Sequence, residues 1–461
     1  MYSTLFKKVL FPLYESGFRR RDTLKYLRLL DENQWQSQAE LEVKQWQHLM
    51  RLLQHAYKQS PYYRQVFKDL GLQPEDIRNY DDFRKLPICS REDVVAHNEQ
   101  MIASDQRTSV IRKTTGGSTG VPVQFAIDRD SYEWRNAATQ RGYAWAGCEA
   151  GRHTLYLWGA DIGDPAPLQA LKTRLYHRFF NRKMFNCFKL DAAEMRRCVD
   201  YINRQRPTGI VAFTTAVYNL ARFIDDNKIK CAPVPAVIIG AEKLYEHQRE
   251  LIERVLQTRV FNTYGCREFM LIAAECDRHE GLHITMDNLF VEILHNGKPV
   301  APGERGEIVI TDLHNFGMPF IRYRNGDLVI RGSHACSCGR GLPLIEDIDG
   351  RLMDEIVSVE GKVLSGGFFP HLMKEFSEIE KFQVVQEARD RIDISIVPKQ
   401  PLARAQLDFC SSEIRKVTGE AMRIDYHMVD DIPLSASGKY RVTVSRIAGQ
   451  NEEASGVRVG T

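Results

Sequence analysis

The spacing of hydrophobic residues changes along the chain, and each spacing predicts a different element. Apolar side chains between Trp46 and Tyr57 recur at helical intervals, and Ser60-Pro61 follows, so we expect a helix that ends there. Residues 392–397 alternate between apolar and polar side chains, which predicts a strand. Helical and extended patterns both occur throughout the chain, which indicates a mixture of helices and sheets.

One strand–helix–strand pattern predicts a ligand site. Apolar residues 236–239 precede a helix with one apolar face, and residues 259–265 form a second strand, as in a parallel crossover unit. Ligands of such sheets bind beyond the carboxyl ends of the strands. The residues at those two ends are Gly240, Ala241, Glu242, Asn262, Thr263, Tyr264 and Gly265. The Tyr264 ring could stack on a purine there.

A glycine-rich loop joins two extended segments, residues 109–112 and 123–127. Its backbone N–H groups and hydroxyls can surround an anion, although no Walker lysine follows the glycines. An ordinary hairpin turn is the alternative interpretation. The candidate phosphate-binding residues are Thr115, Gly116, Gly117, Ser118, Thr119 and Gly120.

Composition excludes several classes of protein. The 461 residues suggest about three domains, and 43% hydrophobic with 27% charged residues is ordinary for a soluble enzyme. A net charge of +3 does not indicate nucleic acid as a partner. No apolar run is long enough for a transmembrane helix, and we expect a cytoplasmic protein. Residues 5–14, followed by Arg19, could form a helix on a membrane surface, but a helix packed on the body is favoured.

Three cysteines and a histidine form a candidate metal site. Cys276, His283, Cys336 and Cys338 suit a closed, structural Zn²⁺ site. His279 and His334 are competing ligands, and free buried thiols are the alternative.

Together these motifs resemble those of the adenylate-forming (acyl-CoA synthetase) superfamily. The lead-in Pro61-Tyr62-Tyr63-Arg64 and the Cys-x-Cys-Gly segment are similar to the phenylacetate–CoA ligase-like branch, which includes capsular polysaccharide biosynthesis proteins. The resemblance implies an α/β fold with a large N-terminal domain of mixed sheets and helices and a small mobile α+β C-terminal domain. The implied boundaries are 1–349 and 350–461, with a helical lead-in at 1–110 and a β-rich, zinc-containing part at 274–340.

The resemblance also assigns roles to single residues. The glycine-rich loop would bind phosphates, and the segments at Gly240 and Asn262 would bind adenine. The remaining implied roles belong to Glu268 (catalysis and Mg²⁺), Asp327 (ribose), Arg351 (ribose or phosphate), Asp354 (hinge) and Lys439 (catalysis). Asp327 is expected on a tight turn at a strand end. Two positions depart from the family pattern: Arg267 replaces Ser or Thr, and Asn325 replaces Thr.

The implied activity is an AMP-forming carboxylate ligase. It would use ATP and Mg²⁺ to activate a small carboxylic acid and pass the acyl group to a thiol, in this branch often that of CoA. Two alternatives stay open: transfer to an amine or hydroxyl acceptor, and a non-catalytic nucleotide-binding protein.

Overall fold

The computed structural model describes residues 2–115, 123–159, 167–348, 356–364, 366–373, 376, 378–432 and 442–447. Its α-helices are α1 (Tyr2–Leu5), α2 (Thr23–Asn33), α3 (Gln38–Gln59), α4 (Pro61–Asp69), α5 (Tyr80–Phe83), α6 (Arg91–Ala96), α7 (Asn98–Met101), α8 (Arg129–Trp145), α9 (Pro167–Phe179), α10 (Ala192–Gln205), α11 (Thr214–Asp226), α12 (Glu246–Leu256), α13 (Phe368–Met373) and α14 (Arg404–Thr418). Wider helical turns cover Phe6–Leu10 and Leu13–Phe18, and 3₁₀ turns cover Pro74–Asp76 and Cys187–Lys189.

The strands in the described part of the chain are β1 (Ile111–Thr114), β2 (Gln124–Ile127), β3 (Thr154–Trp158), β4 (Arg182–Asn186), β5 (Gly209–Phe213), β6 (Ala236–Gly240), β7 (Arg259–Cys266), β8 (Met270–Glu275), β9 (Leu282–Ile284), β10 (Leu289–His295), β11 (Lys298–Pro299), β12 (Arg305–Asp312), β13 (Tyr323–Arg331), β14 (Leu344–Ile348), β15 (Ile356–Val357), β16 (Val363–Leu364), β17 (Ile379–Ala388), β18 (Arg391–Pro398), β19 (Arg423–Met428) and β20 (Thr443–Ser445).

Twelve of these strands form one sheet, in the order β11-β10-β12-β13-β14-β9-β8-β7-β6-β5-β3-β4. The part from β4 to β7 is parallel, and β7 pairs with β8 in the antiparallel direction. The predicted parallel crossover is confirmed, because β6 and β7 lie side by side with Ile239 opposite Asn262. The sheet therefore changes from parallel to antiparallel pairing at β7, the strand that contains Tyr264.

The helical lead-in packs on the antiparallel part of the sheet. Ser37 and Glu40 form a capping box at the start of α3, and Ser60 ends it and caps α4, as expected from the Ser-Pro break. Leu49 and Leu53 of α3 are fully buried in the same core as Phe320. A second core lies between α10, α11, α12 and the parallel strands.

The C-terminal part contains its own four-stranded sheet, in the order β19-β18-β17-β20. Ile392, Ile394 and Ile396 point into its core, as their alternation with polar residues predicts. The mixed α/β architecture with a separate C-terminal sheet confirms the predicted fold class. The predicted boundary at 349/350 lies outside the described residues. Among the helices that the structure describes, none is long and apolar enough to cross a bilayer.

Candidate active site and metal centre

The end of β6 and the middle of β7 form one edge of the candidate site. Thr263 Oγ1 donates a hydrogen bond of 2.6 Å to the carbonyl of Ile239. A Cβ atom at Gly240 would lie only 2.7 Å from that Oγ1, so this close approach requires glycine. The chain leaves the strand through Ala241, whose φ is +69°. The structure thus brings the two predicted adenine-binding segments together.

Glu242 connects this edge to the start of α11. Its carboxylate accepts a 2.7 Å hydrogen bond from the Thr215 N–H, and its carbonyl accepts one of 3.3 Å from Thr214 Oγ1. The first N–H groups of a helix lack partners within the helix and favour negative charge. Glu242, which the sequence assigned to the nucleotide, therefore also fixes the turn after Gly240.

Tyr264, Asn325 and Asp327 form a buried hydrogen-bonded triangle. Tyr264 donates its hydroxyl to Asp327 Oδ2 at 2.8 Å. Asn325 donates its amide both to the same Oδ2, at 2.6 Å, and to the Tyr264 oxygen, at 2.9 Å. Burial and the Asp327 charge raise the pKa of Tyr264 well above its usual value, so the phenol stays a donor. Asn325, where the family has Thr, thus orients the carboxylate.

The backbone at Asp327 differs from the prediction. Asp327 lies within β13 and not on a turn at a strand end. Arg324 pairs with Val309 and Leu328 with Glu307, so three residues bulge opposite a single partner. Gly326, at the centre of this bulge, has a φ of +85°, which few other residues tolerate. The bulge buries the side chains on both sides of the glycine, Asn325 and Asp327.

A second buried carboxylate, Glu268, lies in the turn between β7 and β8. Burial raises the pKa of the nearby Cys266 thiol, and the negative charges of Glu268 and Asp327 raise it further. Both carboxylates are therefore close to Cys266. Carboxylate oxygens are the ligands that Mg²⁺ prefers, so the donor set fits the magnesium role implied for Glu268.

The base of the glycine-rich loop is positively charged. Arg91 Nη2 donates to Thr115 Oγ1 at 3.1 Å, and the N–H of Val123 donates to the same oxygen at 2.9 Å. Burial, together with the smaller effect of the Arg135 and Arg267 charges, lowers the pKa of Lys113 to about 8. Cations gathered in this way match the negative charge of a triphosphate.

The four predicted zinc ligands also converge. Cys276 Sγ lies 3.7 Å from Cys336 Sγ, and Cys338 Sγ lies 3.4 Å from His283 Nε2. All four donor atoms lie within 4.8 Å of one another. A tetrahedral zinc site requires S···S separations of about 3.8 Å and S···N separations of about 3.5 Å. These two separations, and a cluster this compact, are compatible with a zinc site.

Strand pairing explains why residues so far apart in sequence meet. Cys276 follows β8 and His283 lies in β9, while the Cys-x-Cys pair precedes β14, which pairs with β9. His283 Nδ1 lies 3.3 Å from the Leu342 carbonyl, which leaves Nε2 to face Cys338. Burial lowers the pKa of His283 to about 4, so the ring is neutral, as a ligand must be.

The two competing histidines take part in other contacts. His279 Nδ1 lies 3.3 Å from the Glu275 carboxylate, and His334 Nδ1 lies 3.7 Å from that of Glu346. The ligand group that the described residues form contains His283 instead.

Comparisons with known proteins found relatives in sequence and in fold. Residues 356–446 match the CapK C-terminal domain family. Phenylacetate-coenzyme A ligase of Escherichia coli is 27% identical over 77% of this chain and 79% of its own length. Protein CapK of Staphylococcus aureus is 22% identical over 85% of this chain and 86% of its own. The solved structure of 2-hydroxyisobutyryl-CoA ligase in the postadenylation state covers 93% of this chain and 94% of its own, with a TM-score of 0.58 at 18% identity.

The similarity to phenylacetate-coenzyme A ligases and to protein CapK over most of the chain supports the adenylate-forming superfamily, in its phenylacetate–CoA ligase-like branch. Several residues to which this family resemblance assigns roles lie outside the described residues, and their roles stay predictions: Gly116, Gly117, Ser118, Thr119, Gly120, Arg351, Asp354 and Lys439.

Two basic residues near the glycine-rich loop were not identified from the sequence. Lys113 directly precedes the glycine-rich loop, so its position was a usable signal. Arg91 lies in α6 and reaches Thr115 only through the tertiary fold, and no local pattern indicates that contact.

Proposed function

We propose that this AMP-forming ligase joins a small carboxylic acid to AMP and then transfers the acyl group to the thiol of CoA. The observation that carries the proposal is the Tyr264–Asn325–Asp327 triangle, in which two neutral donors orient one buried carboxylate. The triangle includes a residue of the β7 segment that borders Gly240. The similarity to phenylacetate-coenzyme A ligases supports the choice of acid and thiol as substrates.

The site divides into regions of opposite charge. Asp327 is suited to accept hydrogen bonds from ribose hydroxyls, and the segments at Gly240 and Tyr264 border the adenine. The cations at the loop base, Lys113 and Arg267, are suited to the phosphates. ATP would then extend from the β6–β7 edge toward the loop.

In the first step, a carboxylate oxygen of the acid attacks the α-phosphorus of ATP, and the bond to the bridging oxygen of the leaving pyrophosphate breaks. The protein lowers the barrier mainly by positioning and by stabilising charge on the phosphoryl oxygens. Lys113 and Arg267 offset charge on the departing pyrophosphate, and Lys439 is proposed to offset it near the α-phosphate. Mg²⁺, held by Glu268, would neutralise phosphate charge.

In the second step, the thiol attacks the acyl carbonyl and loses its proton, and AMP leaves with one oxygen that came from the acid. Rotation about Asp354 is proposed to withdraw Lys439 between the two steps, which is a hinge movement of a known kind.

An aromatic pair near the end of β6 favours an acid with an apolar body. The rings of Trp158 and Phe213 lie 4.7 Å apart, and Trp158 lies 3.8 Å from the position of a Cβ atom at Gly240. An apolar acyl group packed against these rings would place its carboxylate toward the nucleotide. We propose aryl or aliphatic acids as the substrate class.

The test is pyrophosphate release across a panel of aryl, aliphatic and amino acids, with and without CoA. We expect release to require an acid, and thioester to form only with CoA. Asp327→Asn is the variant that tests the proposed ribose contact. Its matched control is Asp69→Asn, which changes a carboxylate at an exposed helix end. If the acyl group passes to an added amine or hydroxyl instead of CoA, the acceptor belongs to that other class. ATP binding without turnover by any acid would contradict the proposal.

A further inference from the structure

Helix α9 leaves its leucine side chains exposed. None of the side chains from Leu168 to Phe179 is fully buried in the described structure. Leu168, Leu171 and Leu175 are 65%, 50% and 57% exposed, and their spacing places them along one side of the helix. A soluble helix normally turns such a stripe toward the core, so this one is available to an external surface.

The N-terminal segment presents a second exposed apolar row. Its turns are wide: the N–H of Phe11 bonds to the carbonyl of Phe6, and that of Arg19 to Tyr14. This geometry buries Phe6 and Phe11. The residues on the opposite side, at similar spacing, are exposed: Leu5 48%, Val9 42%, Leu13 63% and Phe18 78%.

The two rows belong to neighbouring segments. The Tyr2 hydroxyl donates to the Phe179 carbonyl at 2.5 Å, and the rings of Phe6 and Tyr14 lie 5.2 Å and 5.0 Å from that of Phe179. We call the two rows together the exposed apolar face; it comprises Leu5, Val9, Leu13, Phe18, Leu168, Leu171 and Leu175. Clustered exposed apolar side chains on neighbouring segments are a feature of binding surfaces.

Positive charge accompanies the face. Residues 167–190 contain no Asp or Glu. Lys172 and Arg178, both exposed, flank the leucine stripe on either side, and Lys8 and Arg20 are exposed in the N-terminal segment. Leucines bordered by basic side chains form the pattern of a helix that lies in the interface of an anionic membrane.

We propose that the exposed apolar face docks this protein on an anionic lipid bilayer, with α9 and the N-terminal segment lying along the surface. The leucines would enter the headgroup region, while the basic residues contact lipid phosphates. A second copy of the chain is a poorer occupant, because a symmetric contact would place one basic border against another.

The experiment is co-sedimentation of the full chain with vesicles of phosphatidylcholine alone and of phosphatidylcholine mixed with phosphatidylglycerol. We expect binding to the mixed vesicles that weakens as salt is raised. Lys172→Gln together with Arg178→Gln should weaken it roughly 25-fold, since each basic residue near such a surface contributes about a factor of five. Leu171→Ser together with Leu175→Ser should abolish it.

Val43→Ser together with Leu70→Ser is the matched control, because these residues are 60% and 42% exposed elsewhere; it should bind like the wild type. All three variants change exposed positions, so thermal midpoints should stay close to the wild-type value. Three results would overturn the proposal: no binding of the wild type to mixed vesicles, equal loss in the control variant, or a wild-type dimer that the leucine variant disrupts without any vesicle binding. The proposal would also be overturned if a soluble polyanion displaced the wild type from the vesicles while the leucine variant still bound them as the wild type does.

Discussion

Asp327→Asn tests the ribose contact most sharply. The substitution keeps the side chain's shape and removes its charge. Asp327 Oδ2 accepts from both Tyr264 and Asn325, so the new amide should turn its oxygen toward these donors. Its NH₂ group would then face the nucleotide, where a ribose hydroxyl needs an acceptor.

The expected loss follows from this geometry. A hydrogen bond to a charged partner contributes about 1.5–3 kcal/mol, which corresponds to roughly 10- to 150-fold in the ATP dissociation constant. Because the amide oxygen keeps the bonds from Tyr264 and Asn325, the free energy of unfolding should change by less than about 1 kcal/mol. Tyr264→Phe removes one orienting donor and should weaken ATP binding by about two- to tenfold.

The assay is calorimetric titration with ATP and with dideoxy-ATP, which lacks both ribose hydroxyls. The wild type should prefer ATP by roughly the same 10- to 150-fold, and Asp327→Asn should bind both nucleotides equally. A variant that still prefers ATP by the wild-type factor would refute the assignment, because the hydroxyls would then be bound elsewhere.

Three further predictions concern the metal centre, the loop base and Lys439. Purified protein should contain about one zinc per chain. Cys336→Ser together with Cys338→Ser should lower both the metal content and the thermal midpoint, whereas the control Cys231→Ser should change neither. A stable, metal-free wild-type protein would exclude the zinc site. Because the pKa of Lys113 is lowered to about 8, its side chain is charged below that pH, and ATP affinity should fall as the pH rises through 8. Lys113→Gln should remove this pH dependence. An unchanged pH profile of ATP affinity in that variant would exclude Lys113 as the cause. Lys439→Ala should slow acyl-adenylate formation by about two orders of magnitude yet pass preformed acyl-adenylate to CoA at the wild-type rate; equal damage to both half-reactions would rule out domain alternation.

Hydrophobic spacing and residue chemistry predicted the features that depend on residues close together in the sequence. The crossover from β6 to β7 follows from two apolar runs around an amphipathic helix, and its parallel pairing is confirmed. The candidate zinc ligands followed from residue chemistry, with His279 and His334 as competing ligands in the sequence. Only the pairing of β9 with β14 brings His283 to the Cys-x-Cys segment.

Features that depend on a distant partner could not be predicted. The bulge at Gly326 exists because β13 pairs with β12 in two registers, and a glycine with an aspartate looks like a turn when that partner is unknown. Glu242 at the start of α11 and Arg91 at Thr115 are likewise contacts between separate elements.

The most direct test of acid adenylation follows an oxygen atom. The acid that releases pyrophosphate is supplied with heavy oxygen in its carboxylate, together with ATP and CoA, and the products are analysed by mass spectrometry. Attack of the carboxylate on the α-phosphorus predicts one heavy oxygen in AMP and none in inorganic phosphate. Heavy oxygen in inorganic phosphate, or AMP without the label, would contradict the account.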